Sequence, residues 1–484
     1  MEESGKFDYE KFGFKSGIEI HQQLDTHKLF CNCPSMLRKD EPDFEIRRRL
    51  HIVAGESGEI DLAVRHEAEK EKEFVYQGYT DNTCLVELDE EPPHEINEEA
   101  LRTALHIAIF LNTTIIPISQ IMRKTVIDGS NTSGFQRTIM IARDGYVETK
   151  YGRVGIEGIF LEEDSARLVS KEADRTIYRL DRLGIPLIEI STSPDIKTPE
   201  QAKEVALFIG NIVRSCKVKR GLGTIRQDVN MSIKNGARTE LKGVQDPDII
   251  VLAMNKEIER QLFLIAQGKK VKPEVRNVLP NGGSEFLRPM PGAARMYPET
   301  DLPLLKISKE MIDNAKRTLP KLREELQKEL EKQGLSHENI KTLFRENKVE
   351  EYKELLKILN KPQLVAKVLL VFPKDIATRK KKSPEKIEEV ITDHYADVLT
   401  LIKKKKISES DIKRIFEDIV DGKSLEDTLK VEKSEISDIE EKILDIIKSK
   451  PGLSENAYMG LVMKEYAGRI NGEEAMSIIK KFVY

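Results

Sequence analysis

The apolar pattern of this chain changes period near Asp301, which excludes both one continuous sheet and one helical bundle. From Phe14 to about Val244, short runs rich in β-branched residues are bounded by glycine and proline, and helical stretches such as Glu98 to Phe110 and Pro199 to Arg214 stand between them. From Glu310 to Phe372, Leu, Lys and Glu recur at helical spacing, with Pro320 and Pro362 as breaks and Pro373 as the stop. Short amphipathic helices follow. Met459, Val462, Met463 and Tyr466 share one face and Ala475, Ile479 and Phe482 another, with Asn471 and Gly472 between them. The reading is α+β: a β-rich domain with an antiparallel or mixed sheet over residues 1–300, a helical domain over 301–372, and a helical region with a small tail over 373–484. A chain of 484 residues exceeds what one core usually serves. Lys272 to Arg288, with Asn281-Gly282-Gly283-Ser284 inside it, reads as a flexible connector between the halves.

The formal net charge of −4 provides no global field for nucleic acid, so such binding has to come from local clusters. Two stand out, Arg379-Lys380-Lys381-Lys382 and Lys403-Lys404-Lys405-Lys406, where dense cations suit a phosphate backbone and equally suit a solvated surface. The cysteines, Cys31, Cys33, Cys84 and Cys216, are too sparse for a disulfide framework and indicate a reducing, cytoplasmic setting. His27 with Cys31 and Cys33 has metal-like spacing but lacks a fourth ligand nearby, so these read as reduced thiols. The most apolar long run, Ala104 to Met122, is interrupted by His106, Asn112 and Gln120, so no membrane span is expected. Neither a Walker-type phosphate loop nor a nucleophile elbow occurs.

Chemistry concentrates in four segments of the first half. In G-I-E-I-H-Q-Q-L from Gly17, strand alternation puts Glu19, His21 and Gln23 on one side and Ile18 and Ile20 on the other. T-I-R-Q-D-V-N-M-S-I from Thr224 repeats the device with Arg226, Asp228, Asn230 and Ser232. Glu189 stands alone in the apolar run I-P-L-I-E-I-S, where a carboxylate is costly without a cation or proton donor. Phe160 to Asp164, F-L-E-E-D, crowds Glu162, Glu163 and Asp164 together, and their repulsion favours a bound cation. Carboxylates with one imidazole suit Mg2+ better than a thiolate-seeking ion, and Mg2+ points to phosphate chemistry. Each segment alone reads equally as an exposed polar strand face.

These segments, with L-E-E-D from Leu161, G-I-P-L-I-E-I-S-T-S-P-D-I from Gly184 and T-E-L-K-G-V from Thr239, resemble the GatB/GatE family of tRNA-dependent amidotransferases. Y-R-L-D-R-L-G-I-P-L-I-E-I from Tyr178 and R-P-M-P-G-A-A-R-M-Y-P-E-T-D from Arg288 are similar to its archaeal GatE branch. The resemblance implies a catalytic cradle domain in which ATP, with Mg2+, phosphorylates the γ-carboxylate of Glu-tRNA(Gln) and ammonia displaces the phosphate. It implies Glu19, His21, Glu163 and Glu189 as metal and phosphate-site residues with Glu162 beside them, and Lys124 and Asp228 at an ammonia entrance. It further implies an asparaginase-like D-type partner as ammonia donor, in a heterotetramer of two D and two E subunits, and tRNA contacts from the C-terminal helices. Members of the GatE branch carry an insertion domain like that of aspartyl-tRNA synthetase, and only the Lys272 to Arg288 connector stands in its place. Two alternatives fit the same residues: a bacterial GatB-type protein, acting also on Asp-tRNA(Asn), and a non-catalytic tRNA-binding module.

Overall fold

The computed structural model describes residues 7–49, 73–126, 128–172, 174–221, 223–244, 246–290, 296–466 and 472–483, side chains at 430–438 and 473–474 apart. The turn expected at Asn471 and residues 291–295 of the segment from Arg288 lie outside them. In chain order the strands are β1 (Lys15–Gln23), β2 (Phe44–Arg48), β3 (Glu73–Gly78), β4 (Thr114–Ile115), β5 (Ile118–Ser119), β6 (Met122–Thr125), β7 (Phe135–Thr149), β8 (Gly152–Glu163), β9 (Arg167–Lys171), β10 (Arg175–Arg179), β11 (Pro186–Thr192), β12 (Ile225–Ser232), β13 (Thr239–Lys242), β14 (Glu274–Val278), β15 (Ser284–Pro289), β16 (Met296–Pro298) and β17 (Leu305–Lys306). The main sheet runs β15-β14-β13-β12-β1-β11-β8-β7-β6-β16 with β4 also on β7, and a smaller sheet runs β2-β3-β10-β9. Most neighbours are antiparallel, whereas β13 with β14 and β3 with β10 are parallel, so the sheets are mixed.

Alternation gives the main sheet two different faces. Ile18, Ile20, Leu161, Ile188, Ile190, Val229 and Leu241 point to a core shared with α1 (Glu98–Phe110), α2 (Pro199–Ser215) and α3 (Pro247–Ala266). Each large aliphatic side chain sealed there contributes roughly 1.5–3 kcal/mol. The helices begin where local chemistry starts them: the Asn97 side chain accepts from the amides of Glu99 and Ala100, while Thr198 and Asp246 cap helices whose first residue is proline. With one face under helices, the other face of the central strands is left for polar groups.

The segment read as a connector is part of the sheet. Its first half is β14, parallel to β13, and its second half is β15, antiparallel to β14. Asn281-Gly282-Gly283 makes the hairpin turn, with Gly282 at φ +76°. Arg276 clasps the hairpin by donating to Ser284 Oγ at 2.8 Å. Linkers and hairpin turns use the same residues, and only the pairing of the flanks separates them.

The described residues divide into two compact units, Met1–Arg323 and Glu324–Tyr484. Leu302, Ile307 and Ala315 belong to the core of the sheet-bearing unit, which places α4 (Lys309–Arg317) with it. The second unit is helical, with one core from Leu330 to Ile419 and another from Ile439 to Ile479. The boundary expected between residues 372 and 373 falls inside the first of these cores. Among the described residues no helix is long and apolar enough to cross a membrane.

Candidate active site

Strand register assembles the four chemical segments into rows on the helix-free face. One row runs Met140, Phe160, Glu189, His21, Arg226 across β7, β8, β11, β1 and β12. A second holds Ser191, Glu19 and Asp228, and a third Thr138, Glu162, Leu187 and Gln23. Residues more than two hundred positions apart become neighbours because β1 lies between β11 and β12.

His21 Nε2 lies 3.2 Å from Glu189 Oε2. Lys124 Nζ donates to Glu162 Oε1 at 2.8 Å and is 3.7 Å from Glu189. Asp228 accepts from Lys242 Nζ at 2.7 Å and from the Gly243 amide at 3.1 Å, and Lys242 also pairs with Glu240 at 2.6 Å. Asn230 Nδ2 donates to Glu19 Oε1 at 2.9 Å. Glu19, His21 and Glu189 form one potential ligand group and Glu19, Asp228 and Glu240 another, each with donor atoms within 4.8 Å of one another. Glu19 is common to both. Beside it lies a cavity of about 310 Å³ lined by Gly17, Ser191, Asn230, Ser232 and Arg238 among others, large enough for part of a small-molecule substrate.

The electrostatics separate these acids by role. Burial, with the charges of Glu189 and Glu240, pushes Glu19 up to about 7. Glu189 moves the opposite way: burial alone would raise it, but Lys124 and the hydrogen bond with His21 hold it well below the usual carboxylate range. Burial likewise opposes, and Lys242 outweighs it, in keeping Asp228 low. His21 is raised despite burial by its bond with Glu189 and the surrounding acids. The centre therefore has fixed anions around one carboxyl that readily carries a proton, and a divalent cation would displace that proton. An oxygen-rich set with one imidazole fits Mg2+.

The structure brings Glu19, His21, Glu162, Glu189, Asp228 and Lys124 to this face, and leaves Glu163 off it. One residue beyond Glu162, Glu163 points to the opposite side, accepts from the Arg137 amide at 3.1 Å and pairs with its guanidinium at 3.3 Å. Arg137 continues to Glu299 at 2.8 Å. Burial raises Glu163, only partly offset by Arg137. The period of two in a strand forbids adjacent acids from sharing a face. The sequence reading omits Glu240 and Lys242 as site residues, although the alternation of T-E-L-K already places them on one side.

The thiols also assemble differently from the sequence reading. His27 Nδ1 faces the carbonyls of Lys28 and Cys31, away from the sulfurs. Cys31, Cys33, Cys84 and Glu87 instead converge with donor atoms within 4.8 Å. Two of the four ligands, Cys84 and Glu87, come from a segment some fifty residues downstream. Cys33 is lowered to about 7 by the bond from Cys31, and the set suits a thiolate-seeking divalent ion such as zinc.

In the helical unit, Arg379 pairs with Glu417 and Lys380 with Asp421. Lys381 and Lys382 are exposed, Lys381 closing its helix at φ +53°. Lys403, Lys404, Lys405 and Lys406 are exposed at the end of helix Tyr395–Lys403.

Residues 14–313 match the GatB/GatE catalytic domain, and residues 350–483 match the GatB domain. This chain belongs to the GatB/GatE family. Among curated proteins it is 36% identical to the E subunit of glutamyl-tRNA(Gln) amidotransferase from Methanocaldococcus jannaschii, covering 98% of this chain and 99% of that one. The E subunit from Pyrococcus horikoshii is 36% identical over 87% of each chain. The alignment with the Methanocaldococcus protein spans 628 positions, more than the 484 residues here, so that relative carries a stretch without a counterpart in this GatB/GatE protein. This agrees with the insertion domain missing from the sequence.

Proposed function

We propose that this protein is the transamidating subunit for Glu-tRNA(Gln), converting it to Gln-tRNA(Gln) with ATP. The observation that carries the reading is the pair of ligand groups sharing Glu19 on a helix-free face, in a chain of the GatB/GatE catalytic family. ATP phosphorylates the glutamyl γ-carboxylate; ammonia then attacks the acyl carbon, the C–N bond forms, the C–O bond to phosphate breaks and phosphate leaves. Glu19, His21 and Glu189, with Asp228 and Glu240, would hold Mg2+. The ion would neutralise charge on the transferred phosphoryl group.

The remaining steps fall to the chain's own groups. Lys124 holds Glu189 ionised and Glu162 in place. Asp228, kept anionic by Lys242, would accept hydrogen bonds from an incoming ammonium ion and orient it toward the acyl carbon. An ammonia path would reach the margin of the acid cluster, where Lys124 pairs with Glu162 and Asp228 with Lys242. Glu163 acts from the other face by fixing Arg137 and the strand that carries Gln136. The ammonia comes from an asparaginase-like D-type partner in a complex of two D and two E subunits, in the cytoplasm.

The test is ATP-dependent conversion of Glu-tRNA(Gln) by the purified chain with ammonium chloride, and with glutamine in the presence and absence of the asparaginase-like partner. Conversion with ammonium alone, and with glutamine only when that partner is added, is expected. No conversion under either condition would remove the proposal.

A further inference from the structure

At the end of β1 a basic segment borders the strand that carries Glu19 and His21. The chain from Lys217 to Thr224 is stitched to that end: the Asp25 amide donates to the Lys217 carbonyl at 3.1 Å, Lys219 N to Gln23 O at 3.0 Å, and Gln23 N to Thr224 O at 2.9 Å. The Gln22 side chain adds a bond to the Lys219 carbonyl at 2.9 Å. Lys217, Lys219 and Arg220 are therefore held where the rows of the site end, two to four residues, or ~7–13 Å, beyond His21. Arg214 at the end of α2 and Arg323 join them, with Arg323 N bonded to Ser215 Oγ at 3.0 Å.

Two cations near the site are matched by acids. Lys217 pairs with Glu99 at 2.6 Å and Arg226 with Asp164 at 2.9 Å. Arg214 and Arg220 differ: the charges acting on them are those of other arginines, and burial together with Arg323 lowers both. Arg220 Nη2 donates to the Arg214 carbonyl at 2.7 Å, so part of its role is to cap α2. A helix C-terminus presents only about half a negative charge. The two guanidiniums exceed that, and holding like charges together in a folded protein is unfavourable without an anion to meet them.

We propose that Arg214 and Arg220, with Arg323 and Lys219 beside them, grip the backbone phosphates of the acceptor end of the tRNA substrate as its aminoacyl terminus enters the acidic face. The inference rests on the tRNA-amidating reading above. It assigns phosphate contacts to the sheet-bearing unit itself, separate from the lysines of the helical unit. Such contacts position the strand and carry no base preference.

The experiment measures binding of the full chain to tRNA(Gln) between about 50 and about 200 mM salt. Arg220→Gln is expected to flatten the slope of log affinity against log salt by about one, and the Arg214→Gln/Arg220→Gln pair by about two. Arg220→Lys keeps the charge and should retain the parental slope. With tRNA lacking its single-stranded 3′ end, the glutamine variants should no longer differ from the parent. An unchanged slope in the double variant overturns the inference, as does an equal loss in Arg220→Lys, which would mark a helix-end role. An effect that persists on 3′-truncated tRNA overturns the acceptor-end assignment. Loss of glutamine-dependent activity with an intact tRNA slope assigns the patch to an acidic protein partner and overturns it too. If the parent itself neither binds nor amidates tRNA, the proposed function fails, a result distinct from any of these.

Discussion

Glu162 and Glu163 are chemically identical neighbours with opposite surroundings. Glu162 meets Lys124 and Gln136 on the helix-free face, and Glu163 is sealed against Arg137. Substitutions on the two faces should therefore differ in kind. Glu189→Gln should lower ATP-dependent amidation at least about a hundredfold while tRNA binding and the urea midpoint stay near parental values, because it removes one anion from a partly open site. Glu163→Gln should instead cost about 2–4 kcal/mol in urea unfolding, because Arg137 would be left buried with half its partners. Equal stabilities for the two variants would contradict this division. Glu19, His21, Glu189 and Asp228 are legible in the sequence because alternation marks which side chains share a face. Glu163 is misread there because the crowding of acids outweighs their parity.

Two segments about fifty residues apart in the chain converge where Cys31, Cys33, Cys84 and Glu87 meet, and spacing alone points to His27 instead. Purified protein should carry about one equivalent of zinc per chain, measured by elemental analysis, and Cys33→Ser or Cys84→Ser should lose it. The β14–β15 hairpin shows the same limit. Gly282 sits at φ +76°, and a Cβ there would lie 2.5 Å from Leu252 Cγ. Gly282→Ala should cost about 1–3 kcal/mol by denaturant unfolding, whereas a flexible linker would tolerate it. Near β6 and β16, burial would raise Glu299, yet the bonds from Arg123 and Arg137 hold it below the usual carboxylate range. Its contribution to stability is full above the unfolded value of about 4.3 and is lost as pH falls through the lower folded value. Glu299→Gln should therefore flatten the acid limb of the stability profile, read as urea midpoints from neutral pH downward.

At the scale of the whole molecule, the sheet-bearing unit holds the chemistry and the helical unit offers exposed lysines. Neutralising Lys403 to Lys406 should weaken tRNA binding and reduce its salt slope by up to about four, and an unaltered slope would reject a backbone contact there. Arg379 and Lys380, already paired with Glu417 and Asp421, should matter less. The sequence by itself determined the α+β division, the helices Glu98–Phe110 and Pro199–Arg214, the strands bearing Glu19, Glu189 and Asp228, and the family, because periodicity, caps and local motifs are properties of neighbouring residues. Tertiary structure alone decided that β1 lies between β11 and β12, that Lys242 meets Asp228, that Cys84 completes the thiol cluster and that residues 301–323 join the sheet-bearing core. Those outcomes depend on contacts between separate segments, from 14 residues apart for Asp228 and Lys242 to more than two hundred for His21 and Arg226, and such contacts leave no periodic mark on either segment alone.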